Sequence, residues 1–250
     1  MVENAIFQTT ISPSPAMKCL IVHAHPEPRS FSSALKEAAR ETLSRQEHEV
    51  QLSDLYAMGF NPVASADDFL EPANPEYCVY ALEQRHAVQH HSLSPDIQAE
   101  LDKLLWCDLL ILNFPLYWCS TPAIMKGWID RVFVSGLVYG GKRFYDRGGL
   151  AGRRALVSVT LGGQVHMFQP EGIHGPLPEL LKPLLQGTLA YAGFQVLPPF
   201  IGWHIPYLTD PERSQILEQW QQRLRHLEQD VPLPMPSLDN FDAQLHPRKA

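Results

Sequence analysis

A chain of 250 residues, 45% hydrophobic and 19% charged, can bury one full-size core, and its formal charge of -7 with no basic run excludes nonspecific nucleic-acid binding. Cys19, Cys78, Cys107 and Cys119 show neither CxxC spacing nor disulfide-scaffold density, so free thiols in a reducing compartment are expected. No apolar run approaches transmembrane length and Met1 to Ala16 lack signal-peptide regions, which makes the cytoplasm the expected location and a membrane span unexpected.

In chain order, residues 1–16 are polar, carry Ser12-Pro13-Ser14-Pro15 and read as a disordered extension. A single domain is expected over 17–230, followed by a Pro-rich tail over 231–250. The domain begins with a strand over Lys18 to Ala24, a helix over Phe31 to Gln46 and a strand over Glu49 to Ser53. From Asn61 to Pro95 the sequence predicts a long polar connection with Pro62, Pro72, Pro75 and a His-rich stretch, Arg85 to His91. Leu109-Leu110-Ile111-Leu112 is apolar without alternation, the pattern of a parallel strand covered on both faces. Pro115 stops it. After the short loop Leu116 to Ser120, Thr121 is the expected N-cap and Pro122 the first helical residue. Ile124, Trp128, Ile129, Val132 and Phe133 follow at helical spacing. Arg154 to Thr160 reads as a strand, Leu180 to Tyr191 as a helix, Phe194 to Ile201 as the last strand and Glu212 to Leu227 as the last helix. Strands alternating with helices, without internal repeats, imply an α/β fold with a parallel sheet.

The chain has no GxGxxG and no GxSxG. Gly136 to Lys142 fits the first seven positions of a Walker A loop, but Arg143 stands where Ser or Thr is required and no strand directly precedes the run. Thr160-Leu161-Gly162-Gly163, at a strand end, allows two readings. It is a close approach of backbone to a flat ligand, or a tight turn. His25 followed by Ser30-Phe31-Ser32 is an anion site at a helix N-terminus, or an ordinary cap with incidental histidines. These two loops and the Pro115 loop follow strands, and at one sheet edge they converge on a crevice, which favours the ligand readings. His86, His90 and His91 have helical spacing but no carboxylate or thiol suitably placed around them, so no metal site is expected.

Taken together the motifs resemble the NAD(P)H:quinone oxidoreductases of the DT-diaphorase type, flavoproteins on a flavodoxin-like fold. The resemblance runs from Lys18 to about Phe241. It is carried by His25 with Ser30-Phe31-Ser32, Ser53-Asp54-Leu55-Tyr56-Ala57-Met58, Leu93-Ser94-Pro95-Asp96-Ile97 and Phe114-Pro115-Leu116-Tyr117-Trp118 leading into Pro122 to Trp128. Tyr145-Asp146, Gly162-Gly163, Gly172-Ile173-His174-Gly175 and Gln215-Ile216-Leu217-Glu218 continue it.

The resemblance implies a doubly wound five-stranded parallel sheet of order 2-1-3-4-5 with helices on both faces and a C-terminal tail. It implies that His25, Ser30, Phe31 and Ser32 hold flavin phosphates and ribityl chain. Pro115, Leu116, Tyr117, Trp118, Thr160, Leu161, Gly162 and Gly163 would frame the isoalloxazine, with Phe168 against it and Arg213 near the adenine end of FAD. Trp118, Tyr139, Gly141, Phe168 and His174 would line the cavity in which the nicotinamide of NADPH or NADH and a quinone, or another small aromatic acceptor, bind in turn. His174 is the expected catalytic residue. The implied reaction is ping-pong, a hydride passing to the flavin and two electrons onward to the acceptor. Members are homodimers with active sites at the subunit interface. Arg213 and the tail from Val231 to Phe241 favour FAD over FMN. A second reading from the same family is an ancillary, flavin-binding subunit of a membrane transport protein.

Four positions depart from the family pattern. Phe168 stands where a Tyr often cooperates with the His, and Gly140-Gly141-Lys142 replaces a stretch that often bears a substrate-facing Tyr, which predicts a wider, more basic cavity mouth. Glu76 replaces a Gln, and Cys119 an aromatic beside the flavin.

Overall fold

The apolar run at Leu109 becomes β3 (Leu109–Pro115), buried along its whole length at the centre of the sheet. A computed structural model of the chain describes residues 16–248; the expected extension lies, apart from Ala16, outside the described residues. β1 (Lys18–His23) and β4 (Arg154–Thr160) flank β3, and β2 (Glu49–Asp54) lies outside β1. All pairings are parallel, in the order β2-β1-β3-β4-β5, where β5 is Gln195–Val196. The register sets Asn113 opposite both His23 and Ser158, and Pro115 opposite Thr160.

Side-chain alternation sends Cys19, Ile21, Leu109 and Ile111 to one face and Leu20, Val22, Leu110 and Leu112 to the other. The first face is covered by α1 (Phe31–Arg45) and α7 (Asp210–Arg225), through Leu35, Leu43, Trp220 and Leu224. The Trp220 indole N–H donates to the Leu35 carbonyl at 3.0 Å, joining the two helices. The second face is covered by α3 (Pro95–Trp106) and α4 (Ala123–Val132), through Ile97, Leu101, Leu104 and Trp128.

Several expected elements are corrected. The sheet has six strands, because the segment expected as one strand over Phe194 to Ile201 is split into β5 and β6 (Phe200–Gly202), both paired with β4. Pro198 and Pro199 have no N–H to give the ladder, so pairing stops and resumes. The helix expected over Leu180 to Tyr191 is three pieces: α5 (Leu177–Leu180), α6 (Lys182–Leu184) and a π-helical stretch, Leu185–Ala190. Pro183 lacks the donor an uninterrupted helix needs there, and its carbonyl accepts from the Thr188 hydroxyl at 3.0 Å instead. α4 starts one residue later than expected, with Pro122 rather than Thr121 in the cap position.

The expected polar connection from Asn61 to Pro95 contains a helix, α2 (Tyr80–His90). Buried charges hold it in place. The Glu83 carboxylate accepts from the amides of Ala73 at 2.7 Å and Asn74 at 3.1 Å. Arg131, 3% exposed on α4, pairs with Asp68 and Asp96 at 2.7 Å each and donates to the Asn61 carbonyl at 2.9 Å. Among the described residues no helix is long and apolar enough to cross a membrane.

Pro62, in that connection, lies against α4 at Gly127, where a Cβ would come within 2.2 Å of the Pro62 carbonyl oxygen. Backbone cannot yield as a side-chain tip does. Gly127→Ala is therefore expected to lower stability by roughly 2 kcal/mol or more, read as a reduced denaturation midpoint with an unchanged m-value.

Candidate active site

Three chain segments leave the carboxyl edge of the sheet side by side. After β1, the His25 ring accepts the Glu27 amide at 3.0 Å and the Glu27 carboxylate accepts the Arg29 amide at 2.9 Å, which shapes the approach to α1. Ser30 caps α1, its hydroxyl accepting the Ser33 amide at 3.1 Å. The amides of Phe31 and Ser32, in the first turn, have no acceptor among the described residues. After β3, the Leu116 amide donates to the Thr160 carbonyl at 2.8 Å, and Tyr117 and Ser120 close a tight turn with reciprocal bonds of 3.0 and 2.9 Å. Trp118 and Cys119 occupy that turn at φ 51° and 57°, a left-handed conformation that costs a non-glycine residue energy. After β4, Leu161 leads into Gly162 and Gly163.

A buried polar cluster ties these ends together. The Asn113 side-chain amide donates to His23 Nδ1 and to the Ser32 carbonyl, both at 2.8 Å. That leaves the His23 proton on Nε2, which donates to Ser33 Oγ at 3.2 Å, and Ser33 Oγ donates to the Glu27 carbonyl at 3.1 Å. Ser32 Oγ and Thr160 Oγ1 share a hydrogen bond of 2.7 Å, linking α1 to the end of β4. Burial lowers the His23 imidazole from its ordinary 6.5 to about 4, against the pull of Asp54 and with the help of Lys36 and His25. Desolvation lowers His25 as well, opposed by its contacts with Glu27.

The result is an open crevice of about 310 Å³. His25, Ser30, Phe31, Ser32, Pro115, Leu116, Tyr117, Thr160, Leu161 and Gly162 line it, together with Ile205 and Pro206. The last two were not expected from the sequence. They lie in a turn after β6, where His204 donates from Nδ1 to the Gly162 carbonyl at 2.8 Å and from its amide to the Gly163 carbonyl at 3.0 Å. The sole local signal is an X-Pro step after a strand.

The other expected residues lie elsewhere. Trp118 is fully solvent-exposed. Gly163 sits under Phe168, whose ring would be 2.6 Å from a Cβ there. Phe168 is buried, with its ring 4.8 Å from that of exposed His174 and 5.5 Å from that of Trp203. Arg213, on α7, pairs with Asp210 at 2.8 Å and donates to the Ile205 carbonyl at 3.4 Å, behind the wall rather than in it. Tyr139 lines a separate cavity with Phe133 and Tyr191, and Gly141 another with Arg85 and Arg143. Within one chain, then, Tyr139 and Gly141 do not meet the crevice.

The donors present suit a flavin nucleotide. The amides of Phe31 and Ser32 and the Ser30 hydroxyl offer an anion site at a helix N-terminus. The amides of Gly162 and Gly163, also without acceptors among the described residues, suit the polar edge of a ring, and Pro115, Leu116, Tyr117 and Pro206 suit its flat face.

Fold and crevice together define a flavodoxin-like protein with a nucleotide site at the carboxyl edge of its sheet, and a flavodoxin-like fold family model matches residues 17–224. The chain belongs to this family, in the branch of the quinone dehydrogenases. It is 44% identical over 218 residues to the ribosyldihydronicotinamide dehydrogenase [quinone] of Pongo abelii, covering 87% of this chain and 94% of that protein. It is 42% identical over 226 residues to the NAD(P)H dehydrogenase [quinone] 1 of Rattus norvegicus, covering 90% and 82%. A crystal structure from Klebsiella pneumoniae, described as a candidate quinone reductase, superposes with a TM-score of 0.89 at 39% identity, covering 93% of this chain and 94% of that one.

The buried His23 makes stability depend on pH. Below pH 6.5 the unfolded chain binds a proton at this residue that the folded chain refuses until about pH 4, so stability falls as pH drops through that window. A decline of several degrees in Tm between pH 6.5 and 4 is expected, and His23→Gln should flatten the profile over the same range. An identical slope in the variant would assign the decline to other groups.

Proposed function

We propose that the protein is a flavin-dependent NAD(P)H:quinone oxidoreductase. The observation that carries this reading is the convergence of unpaired amides and flat apolar walls in one crevice, in a chain more than 40% identical to dehydrogenases named for quinone. The ancillary-subunit alternative draws no support from these relatives, which are named for dehydrogenase activity.

Flavin would supply acceptance of a hydride and release of two electrons. The chain's residues would do the rest. First-turn amides of α1 and Ser30 hold the phosphates, with His25 beside them. Gly162 and Gly163 amides stabilise negative charge at the ring edge, and the wall from Pro115 to Tyr117 keeps water from one face. His174 would hold or give the acceptor's proton at its imidazole. Phe168, whose ring lies 4.8 Å from that of His174, has no hydroxyl with which to share the proton.

FAD rather than FMN is the reading favoured by the anchored tail; Arg213, behind Ile205, is not in the crevice wall and adds no support. The Leu233 amide donates to the Val196 carbonyl at 2.8 Å, and Asp146 accepts from the Ser237 hydroxyl at 2.6 Å and the Leu238 amide at 3.1 Å. We read residues 17–230 as the catalytic domain and 231–250 as a C-terminal tail, docked on it through Leu233, Ser237 and Leu238. A homodimer is supported by the full exposure of Trp118 and by Tyr139 and Gly141, which need a second copy to reach a crevice. The cytoplasm is the compartment this chemistry fits.

Three measurements test the reading. The flavin released from purified protein should have the mass of FAD; FMN would overturn that choice. NADPH and menadione should turn over faster than with the same amount of free flavin, and equal rates would sink the enzyme assignment. His174→Gln is expected to slow flavin reduction roughly 10- to 100-fold in stopped flow while leaving flavin content unchanged.

A further inference from the structure

The loop that ends at Arg143 carries charge that the reading above leaves unused. Arg85, on α2, and Arg143 face a cavity of about 260 Å³ bordered by Gly136, Gly140 and Gly141. The glycines make this possible. A Cβ at Gly136 would lie 3.0 Å from Arg85 Cγ, and one at Gly140 would lie 3.4 Å from Arg85 Nη2, so the side chain lies along the loop with its guanidinium at Gly140. Gly136 and Gly140 also hold φ of +90° and +125°, which other residues rarely adopt.

Arg143 is pinned along one edge. Its Nη1 donates to the Leu137 carbonyl at 2.9 Å and to the Gly136 carbonyl at 3.4 Å, while Gly140 and Arg143 close the turn with reciprocal backbone bonds of 3.3 and 3.1 Å. Among the described residues no carboxylate pairs with either guanidinium, whereas Arg131 has two such partners and Arg147, Arg213 and Arg223 have one each. Two uncompensated cations around one cavity are notable in a chain of net charge -7. The cavity also adjoins the expected substrate-facing position: burial raises the Tyr139 hydroxyl, and Ser135 and the charge of Arg85 oppose that rise.

We propose that Arg85 and Arg143 form a subsite for a phosphate group of the dinucleotide donor, at the cavity mouth that Gly141 borders. The planar fork of each guanidinium can meet phosphate oxygens through two parallel N–H bonds, and two forks suit a dianion. Phosphate would thus be gripped by the side chains of Arg143, at the end of this glycine loop, and of Arg85 from α2, not by the amide cradle of a P-loop, which needs an α-helix that this loop does not enter. The inference rests on the quinone-oxidoreductase reading and decides what it leaves open: relatives are named for NAD(P)H and for ribosyldihydronicotinamide, and only the former carries phosphate.

The test uses flavin-loaded protein with NADPH, NADH or ribosyldihydronicotinamide as donor and menadione as acceptor, comparing the natural chain with Arg85→Gln, Arg143→Gln and the double variant. Both arginines are exposed, so the variants are expected to fold and to keep their flavin. The double variant should raise KM for NADPH about tenfold or more with little change in kcat, and leave KM for the phosphate-free donor within about twofold. Equilibrium binding of adenosine 2′,5′-bisphosphate should weaken by a similar factor. Loss confined to NADPH would assign the subsite to the 2′-phosphate, and equal loss with NADH to the diphosphate. Unchanged KM for both dinucleotides, or an equal rise for the phosphate-free donor, would overturn the subsite. If the natural chain oxidises the phosphate-free donor alone, the subsite falls and the oxidoreductase reading stands. If it oxidises no donor, both fall.

Discussion

The side-chain amide of Asn113 is the tie on which the crevice depends. Strand β3 is the middle of the sheet, and Asn113 is its one polar side chain ahead of the turn at Pro115. Both of its N–H groups are used, one on the His23 ring at the end of β1 and one on the Ser32 carbonyl in the first turn of α1. Ser32 then reaches β4 through Thr160. Each bond contributes about 1 kcal/mol net, but a broken member would leave a buried polar atom unpaired at a cost of roughly 1–3 kcal/mol. The network therefore fixes geometry more strongly than its summed worth suggests, and it fixes it where three loops must stand in register. Its remaining strain is local: Asn113 Oδ1 and Ser158 Oγ, cross-strand neighbours, are both buried without a partner among the described residues.

What the sequence disclosed follows from which forces are local. The central strands were legible because a strand buried on both faces must be apolar at successive positions, as Leu109 to Leu112 are. The start of α1 was legible because Ser30 caps it through its own next turn. The helix α2 was not, since it is polar and is held by Glu83, by the Tyr80 hydroxyl on Asp68 and by Gln84, which accepts the Ser135 amide 51 positions away. Buried charge looks like surface charge until its partner is known. The broken last strand and the segmented helix before it turned on single prolines whose interruption could have been weighed, but a Pro at a strand end and a Pro within one look alike in a string of letters. In the crevice, the Ser30 helix cap and the Gly162 loop supplied residues, while the Gly140-Gly141 pair did not and the Ile205-Pro206 wall carried only an X-Pro step. Nor could spacing reveal that Tyr139 and Gly141 face cavities of their own.

The two ends of the site are built to different standards of rigidity. The end at Ser30 rests on helix α1 and on buried hydrogen bonds. The mouth rests on loops fastened by exposed contacts, such as Arg147 with Asp239 at 2.9 Å and Lys142 with the Ala243 carbonyl at 3.2 Å. Exposed pairs of this kind contribute little each. A rigid anchor with a loosely held mouth suits a site in which one occupant stays while two others come and go.

The positions expected from the sequence to differ from related chains lie outside that anchor. Cys119, Phe168 and Gly141 all stand outside the Asn113 network. At Gly141 the constraint is backbone, not room: its φ is +61°, and an added Cβ would meet nothing within 4 Å. An alanine there would lose about 1–2 kcal/mol to the left-handed conformation, with its Cβ in open space. The open mouth is thus a by-product of the turn that carries Arg143 back toward Gly140 and sets its guanidinium beside that of Arg85.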